Sequence, residues 1–250
     1  MIFLNACMYV NQPDPIPGFI GTWLPCPTFA QATQSYAENS AKIALSKNRV
    51  VIYDLETEDF NVGMAVPVDI AKPRLKRMAD MADWTRAKGM SVGFYGFPLR
   101  AYWDGIQYAS NITNGSPRTQ FISDSFRFER WNSRNSLIRE YLAPHVDAVY
   151  PSLYSFYTDD SFQQYFRANL AQAYTWGKPV APFIWPGFHP SQKLGIEMSI
   201  ELWKKQVALI KQLCDGAVIW GGFLYKDGKP IQLSWDDKAR DYFSTVLEIK

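Results

Sequence analysis

Short apolar runs rich in β-branched and aromatic residues alternate along the chain with longer amphipathic stretches. Such alternation is typical of parallel βαβ units, in which each helix returns the chain to the same edge of a sheet. No glycine-rich phosphate loop follows any run, which argues against a nucleotide-binding doubly wound sheet. The length of 250 residues suits one barrel. We therefore predict an α/β fold, a distorted (β/α) TIM-like barrel of seven or eight strands, in a single domain over residues 1–250.

Six runs are predicted as strands and six stretches as helices. The strands are expected at 2–10, 50–56, 90–96, 146–150, 179–184 and 216–220. The helices are expected at 28–45, 71–88, 124–143, 161–176, 199–214 and 235–247. Residues 104–117 are rich in Asn, Gly and Ser and are predicted to form a long loop. Polar and aromatic residues follow the strands, and the carboxyl ends of barrel strands are where active sites form.

Asp54 and Glu56 follow the apolar run 50–53. Because side chains alternate along a strand, the two carboxyl groups should project to one face, with Cα atoms about 6.5 Å apart. Neighbouring negative charges disfavour each other, so the pKa of one carboxyl group is expected to rise. A carboxyl group that keeps its proton can protonate the leaving oxygen in glycoside hydrolysis. Taken alone, however, the tripeptide favours the simpler interpretation, an ordinary strand end running into an acidic turn.

Composition argues against several other classes of function. The formal net charge of +2 carries no signature for nucleic acid or membrane insertion, and we predict neither. The three cysteines are widely spaced without a CxxC or Cys/His cluster, so neither a zinc site nor a disulfide framework is indicated. His145 and His189 are too few for a metal hydrolase, and no Gly-x-Ser-x-Gly turn supports a Ser-His-Asp enzyme. We expect no metal and no cofactor.

Four segments at predicted strand ends carry a more specific signal, because they occur together and in order. They are Asp54-Leu55-Glu56, Gly93-Phe94-Tyr95-Gly96-Phe97-Pro98, Tyr150-Pro151-Ser152-Leu153-Tyr154 and Asp215-Gly216-Ala217-Val218-Ile219-Trp220-Gly221. In these segments the chain resembles the eukaryotic hyaluronidase family of glycoside hydrolases. Residues 178–185 also occupy the place of a strand of that family, so the resemblance covers roughly residues 48–222.

The resemblance implies a retaining endo-β-N-acetylhexosaminidase that cleaves polysaccharide containing N-acetylhexosamine. The attacking group would be the substrate's own N-acetyl oxygen, so no protein nucleophile is required. By position, Glu56 is the general acid and later the base, and Asp54 orients the acetamido nitrogen. Tyr154 is expected to hydrogen bond the acetamido oxygen, and other aromatic residues shape the sugar pocket. The predicted substrate-binding residues are Tyr95, Tyr154, Trp185 and Trp220.

The chain also departs from that family. No cysteine follows the segment 93–98, and Leu55 replaces an aromatic residue. The polysaccharide stays open, because hyaluronan and chondroitin require cations, for which Arg100, Arg118 and Arg127 are candidates, whereas chitin-like or capsular polymers do not. An alternative hypothesis is a non-catalytic carbohydrate-binding barrel within a virion or cell-surface assembly. A third is a glycosidase of this fold with a protein nucleophile.

Overall fold

A computed structural model of the chain describes residues 1–14, 16–100, 125–155, 162–188, 197–226 and 229–248. The predicted loop 104–117, Arg118 and His189 lie outside the described residues, as does the side chain of Arg127.

Six parallel strands form one sheet, in the spatial order β4-β3-β2-β1-β6-β5. Their bounds are β1 Ile2–Cys7, β2 Ile20–Trp23, β3 Val50–Tyr53, β4 Val92–Phe94, β5 Phe183–Ile184 and β6 Gly216–Gly221. Strand β1 lies at the centre of the sheet and pairs with β6 along its whole length, from Ile2 opposite Gly216 to Cys7 opposite Gly221. The first and last thirds of the chain are thereby joined.

Residues 147–153, here called the closing segment, connect the two edge strands of this sheet. On one side Tyr95, next to β4, bridges Tyr150 in parallel, and the Asp147 N–H donates to the Val92 carbonyl at 2.9 Å. On the other side Ser152 bridges Phe183 of β5. The sheet therefore curls into a ring of six strands and this closing segment. The predicted α/β, TIM-like barrel is confirmed, with six strands and the closing segment in place of seven or eight regular strands among the described residues.

Six α-helices belong to the described part of the chain. Their bounds are α1 Gln34–Ser46, α2 Val68–Arg86, α3 Ser125–Leu142, α4 Phe162–Tyr174, α5 Ile200–Leu213 and α6 Asp237–Glu248. Helix α1 starts later than the predicted position 28, because the Thr33 side chain caps it by accepting the Tyr36 N–H at 3.3 Å. None of the described helices has the length and apolar character needed to cross a membrane.

Sequence patterning missed three strands. Strand β2 has only four residues, one of them glycine, and is partly exposed, so it shows no clear alternation. The other two strands, β7 Phe223–Lys226 and β8 Lys229–Gln232, form an antiparallel hairpin directly after β6. The first predicted strand also ends earlier, at Cys7 rather than residue 10.

The apolar side chains form an inner and an outer cluster. The inner cluster fills the barrel with residues such as Leu4, Ile52 and Val218, whereas the outer cluster packs the strands against the helices. Strand β3 contributes to both, because Ile52 belongs to the inner cluster and its neighbours Val51 and Tyr53 to the outer one. Continuing this alternation directs residue 54 towards the barrel interior.

Two aspartates hold the main chain at the end of the barrel opposite residue 54. A side-chain oxygen of Asp147 accepts the Val92 N–H at 3.0 Å, and one of Asp215 accepts the Val180 N–H at 2.9 Å. Asp215, in the fourth segment of the resemblance, thus has a structural role in positioning β6. Trp220, at the other end of β6, lies on the opposite side of the barrel.

Candidate active site

Asp54 and Glu56 lie immediately beyond β3, at the carboxyl ends of the strands. The Asp54 N–H donates to the Pro25 carbonyl at 3.1 Å, which ties this segment to the residues that follow β2. Between the carboxylates, Leu55 is buried in the outer cluster. The alternation of the strand therefore continues through Leu55, which faces away from the barrel interior as its sequence position predicts.

Both carboxyl groups have a raised pKa, and burial is the larger cause in each case. Burial, followed by the negative charge of Glu56, raises the pKa of Asp54 to about 7. One oxygen of Asp54, Oδ1, is buried without a hydrogen-bond partner among the described residues. Burial also raises the pKa of Glu56, but the Arg100 guanidinium counteracts part of this rise. Glu56 as a whole residue is nevertheless more exposed than Asp54.

The four predicted aromatic residues lie together beside the carboxylates. Tyr154 is central, with ring centroids 5.9 Å from Tyr95, 6.0 Å from Trp185 and 5.6 Å from Trp220. Trp185 and Trp220 pack edge to face at 4.9 Å. Tyr154 and Trp185 are buried, whereas Tyr95 and Trp220 are partly exposed. The four rings, contributed by different strand ends, form a rigid wall with two accessible faces.

Hydroxyl groups connect this wall to the closing segment. The hydroxyl groups of Tyr154 and Tyr95 share a hydrogen bond, and that of Tyr95 lies 3.1 Å from the Ser152 Oγ. Burial raises the pKa of Tyr95 to about 12 and that of Tyr154 well above its usual value, so both keep their protons. Sequence reasoning did not select Ser152. Its position two residues before Tyr154, on the same face of an extended segment, was the signal that could have found it.

A cavity of about 430 Å³ adjoins Glu56, and neither Trp185 nor Trp220 lines it. Glu56, Tyr95, Arg100 and Ser152 line it together with apolar residues of the segments 60–65 and 97–99. Arg100 is only 8% exposed, although the sequence suggested no more than a cation near a loop. The cavity places this guanidinium in the same enclosure as the predicted general acid.

Helix α3 holds the segment that carries Arg100, which follows the cis peptide bond between Phe97 and Pro98. The Asn135 side chain accepts the Leu99 N–H at 2.8 Å and donates to the Leu99 carbonyl at 3.1 Å. The Trp131 indole N–H donates to the same carbonyl at 2.7 Å. These hydrogen bonds hold the main chain in place immediately before Arg100.

The remaining candidates lie elsewhere. His145 precedes the closing segment, at the opposite end of the strands from Glu56, and its Nδ1 lies 2.9 Å from the Asp83 carboxylate of α2. No group of three or more His, Cys, Asp or Glu within the described ranges could hold a metal ion. Cys26 is a free, exposed thiol near the carboxylates, and the charges of Asp54 and Glu56 add to the effect of burial in raising its pKa. The described site thus consists of carboxylates, aromatic rings, hydroxyl groups and one arginine.

Comparison with known proteins shows the fold. No protein-family model and no curated protein sequence matches the chain. Among solved structures, bee venom hyaluronidase is similar with a TM-score of 0.55 and 11% identity, covering 88% of this chain and 90% of that one. A xylose isomerase domain protein from Planctomyces limnophilus has a TM-score of 0.52 and 14% identity, with 99% and 86% covered. A Cellulomonas fimi endo-β-1,4-mannanase double mutant has a TM-score of 0.50 and 13% identity, with 99% and 71% covered.

These similarities are at the level of the barrel. They include proteins named as glycosidases and one named as an isomerase domain protein, and unrelated reactions use the same fold. The link to hyaluronidase is thus a distant one of fold, without a match to a sequence family. A function for this chain has to be argued from its own site.

Proposed function

We propose that the chain is a retaining endo-β-N-acetylhexosaminidase of the hyaluronidase type, acting on polysaccharide that contains N-acetylhexosamine. The observation that carries this proposal is the meeting of two carboxyl groups of raised pKa, Asp54 and Glu56, with a wall of four aromatic rings at the carboxyl ends of the strands. A protonated carboxyl group can serve as a general acid, and flat rings pack against the C–H faces of sugars. The similarity in fold to bee venom hyaluronidase supports the same class of reaction.

In the first step, Glu56 donates its proton to the glycosidic oxygen. The bond between that oxygen and the anomeric carbon breaks, while the acetamido oxygen of the same sugar forms a bond to the carbon. The negative charge of Glu56, which is one cause of the raised pKa of Asp54, is absent while Glu56 carries its proton, so in this state Asp54 ionises more readily. The Asp54 carboxylate then accepts the acetamido N–H and offsets the positive charge that develops on the ring intermediate. No protein nucleophile takes part, as in other substrate-assisted glycosidases.

In the second step, water attacks the anomeric carbon and gives a proton to Glu56. The bond from the carbon to the acetamido oxygen breaks, which regenerates the N-acetyl group. Because each step inverts the anomeric centre, the two together retain its configuration. Glu56 ends with the proton that it lost in the first step, so the cycle is balanced.

The aromatic wall positions the attacking group. Without a sugar, the Tyr154 hydroxyl is hydrogen bonded to the Tyr95 hydroxyl. With a sugar bound, the Tyr154 hydroxyl would donate to the acetamido oxygen instead. The partly exposed faces of Tyr95 and Trp220 would contact the sugar and its acetyl group, and buried Trp185 supports Tyr154 from behind. A group held in near-attack geometry loses less entropy on reaching the transition state.

Replacement of the general acid tests this function. Glu56→Gln keeps the shape but cannot deliver a proton, so we expect cleavage to fall by about a hundredfold or more. New reducing ends should be measured on hyaluronan, chondroitin and N-acetylglucosamine oligomers, with product masses identifying the linkage. Glu58→Gln is the matched control, because Glu58 lines the same cavity but is exposed and has no part in the proposed reaction.

Three outcomes would overturn the proposal. Undiminished turnover by a folded Glu56→Gln protein would remove Glu56 from the reaction. Binding of these polymers by the unmodified protein without new reducing ends on any of them would instead favour the non-catalytic carbohydrate-binding barrel. Equal cleavage of a substrate without an N-acetyl group would point to a protein nucleophile.

A further inference from the structure

Arg100 is a buried cation in the cavity that adjoins the general acid. It is 8% exposed, and Glu56, Tyr95 and Ser152 line the same cavity. A buried guanidinium is costly unless nearby negative charge or hydrogen bonds compensate it. The anchoring of Leu99 by Asn135 and Trp131 fixes the main chain from which this side chain extends. Its position is thus determined by the fold and not by a free loop.

As far as the chain is described, the other titratable groups that line the cavity with Glu56 or interact with its charge are acids. They come from its own segment, from the residues that follow β2 and β4, and from the end of the closing segment. These groups are Asp54, Glu58, Cys26, Tyr95 and Tyr154. Each would add negative charge on ionising, whereas Arg100 lowers the pKa of Glu56. Within the described part of the chain, Arg100 is therefore the cation that balances this cluster.

We propose that Arg100 is a positioning residue for Glu56, and that its guanidinium stabilises the carboxylate that Glu56 becomes after giving up its proton. The inference rests on the proposed function. In the first step Glu56 changes from a neutral acid into an anion beside the Asp54 carboxylate. Repulsion between the two negative charges disfavours the ionised form of Glu56. A fixed cation lowers the free energy of the anion without contacting the sugar. In the second step the same interaction with the guanidinium makes the Glu56 carboxylate a weaker base until it accepts a proton from water.

Arg100→Gln tests this role through the titration of Glu56. Loss of the cation should raise the pH at which Glu56 titrates by about one unit. The side-chain carboxyl of ¹³C-labelled Glu56, assigned by its absence in Glu56→Gln, reports that midpoint by NMR. The alkaline limb of the pH profile of kcat/KM should move upwards by the same amount, because that limb follows the ionisation of the general acid. Arg100→Lys keeps the charge and should restore most of the original midpoint.

Arg134→Gln is the matched control. Arg134 is also 8% exposed, and it donates to the Val62 carbonyl at 3.3 Å, in another wall of the cavity. Its loss should lower stability while leaving the Glu56 midpoint in place. If Arg100→Gln does not fold, Arg100→Met fills much of the same space and takes its place.

An unchanged Glu56 midpoint in the folded Arg100 variant would overturn the inference. So would an equal shift in Arg134→Gln, since a general loosening of the cavity would then explain both. The NMR titration needs no turnover, and it therefore decides the role of Arg100 even if the protein cleaves no polysaccharide. Absence of cleavage alone would count against the proposed function and not against the electrostatic link between the two side chains.

Discussion

Asp54 has a neighbouring acid and a buried carboxyl oxygen that finds no hydrogen-bond partner within the described ranges, and both features oppose its ionisation. Its pKa rises from an ordinary 3.8 to about 7, with burial as the main cause and the charge of Glu56 as the second. A shift in this direction means that the folded protein binds a proton that the unfolded chain has already released. The residue that is proposed to hold the substrate's amide therefore reduces the stability of the free protein at neutral pH.

Asp54→Asn should remove this pH-dependent loss. Between pH 4 and 7 the folded protein keeps the Asp54 proton, whereas the unfolded chain has released it. The free energy of unfolding of the unmodified protein therefore falls as the pH rises, and it levels off above about pH 7. The variant lacks this slope and should be more stable than the unmodified protein by about 2–4 kcal/mol above pH 7. Urea unfolding from pH 4 to pH 9 measures the difference.

Asp59→Asn is the control for that comparison, because Asp59 is exposed in the short 3₁₀ helix Glu58–Phe60. It should follow the unmodified protein at every pH. A stability difference between Asp54→Asn and the unmodified protein that is the same at pH 4 and pH 8 would contradict the argument.

Sequence patterning predicted some residues of the candidate site and missed the role of others. Asp54, Glu56 and the four aromatic residues stand in strand-end segments whose order is informative, and the structure brings them together. Arg100 was named only as one of three candidate cations for an anionic polysaccharide, and Ser152 was not selected. The burial of Arg100 depends on α3, which holds Leu99 from residues 131 and 135, and no local pattern encodes such a contact. Long-range packing therefore determines the position of Arg100, whereas the spacing from Tyr154 could have indicated Ser152.

At the scale of elements, the junction between β4 and the closing segment depends on one glycine. A Cβ atom at Gly93 would lie 2.4 Å from the Tyr150 ring and 2.8 Å from the Ala148 carbonyl oxygen. Neither neighbour can give way easily, because one is a buried ring and the other is main chain. The glycine therefore allows a close approach between neighbouring walls of the barrel, and this approach sets the distance from Tyr95 to Ser152.

Gly93→Ala should push this junction apart. We expect the free energy of unfolding to fall by about 1–3 kcal/mol, as for other overpacked interiors. Any catalytic activity should fall as well, because Tyr95 and the closing segment would shift relative to each other. Denaturant unfolding and the polysaccharide panel measure the two effects.

Gly63→Ala provides the comparison for this change. Among the described residues its Cβ would meet the Asn61 Oδ1 at 3.0 Å, which accepts the Gly63 N–H at 2.8 Å, so a shift of a few tenths of an ångström in one exposed side chain accommodates it. A change within about 0.5 kcal/mol is expected there. Equal stability of the two alanine variants would show that the close approach at Gly93 is not required.

The elements that sequence patterning missed share one property: their strand character depends on their neighbours. Strand β2 is short, yet Leu4 opposite Ile20 and Thr22 opposite Val50 place it between β1 and β3. The closing segment was predicted as a strand at 146–150, but it makes isolated bridges that extend to residue 152. Periodicity describes long amphipathic helices well, and it is weak for short pieces that are held by pairing on both sides.

At the scale of the whole molecule, the ring is completed by strands from distant parts of the chain. Strand β6 pairs with β1 on one side and with β5 on the other, so the wall of the barrel is continuous only when the last quarter of the chain is present. We propose that residues 1–250 form a single folding domain. The three free cysteines supply no covalent link that could replace this pairing.

Removal of β6 and everything after it tests this proposal. A chain of residues 1–213 leaves β1 and β5 without their shared neighbour and exposes apolar residues of the inner cluster. We expect such a chain to show no cooperative unfolding transition in urea. Residues 1–250 should show a single transition. A cooperative transition in the shortened chain would divide the protein into smaller independent units.

The closing segment is paired with its neighbours less continuously than β1 is with β6. Strands β1 and β6 are paired without interruption, whereas the bridges at Tyr150, Val149 and Ser152 are isolated. Parting the ring at this seam breaks fewer main-chain hydrogen bonds than parting β1 from β6, so it has a lower free energy of opening. Tyr154 follows this segment directly, so we expect that local opening here would disturb the aromatic wall beside Asp54 and Glu56.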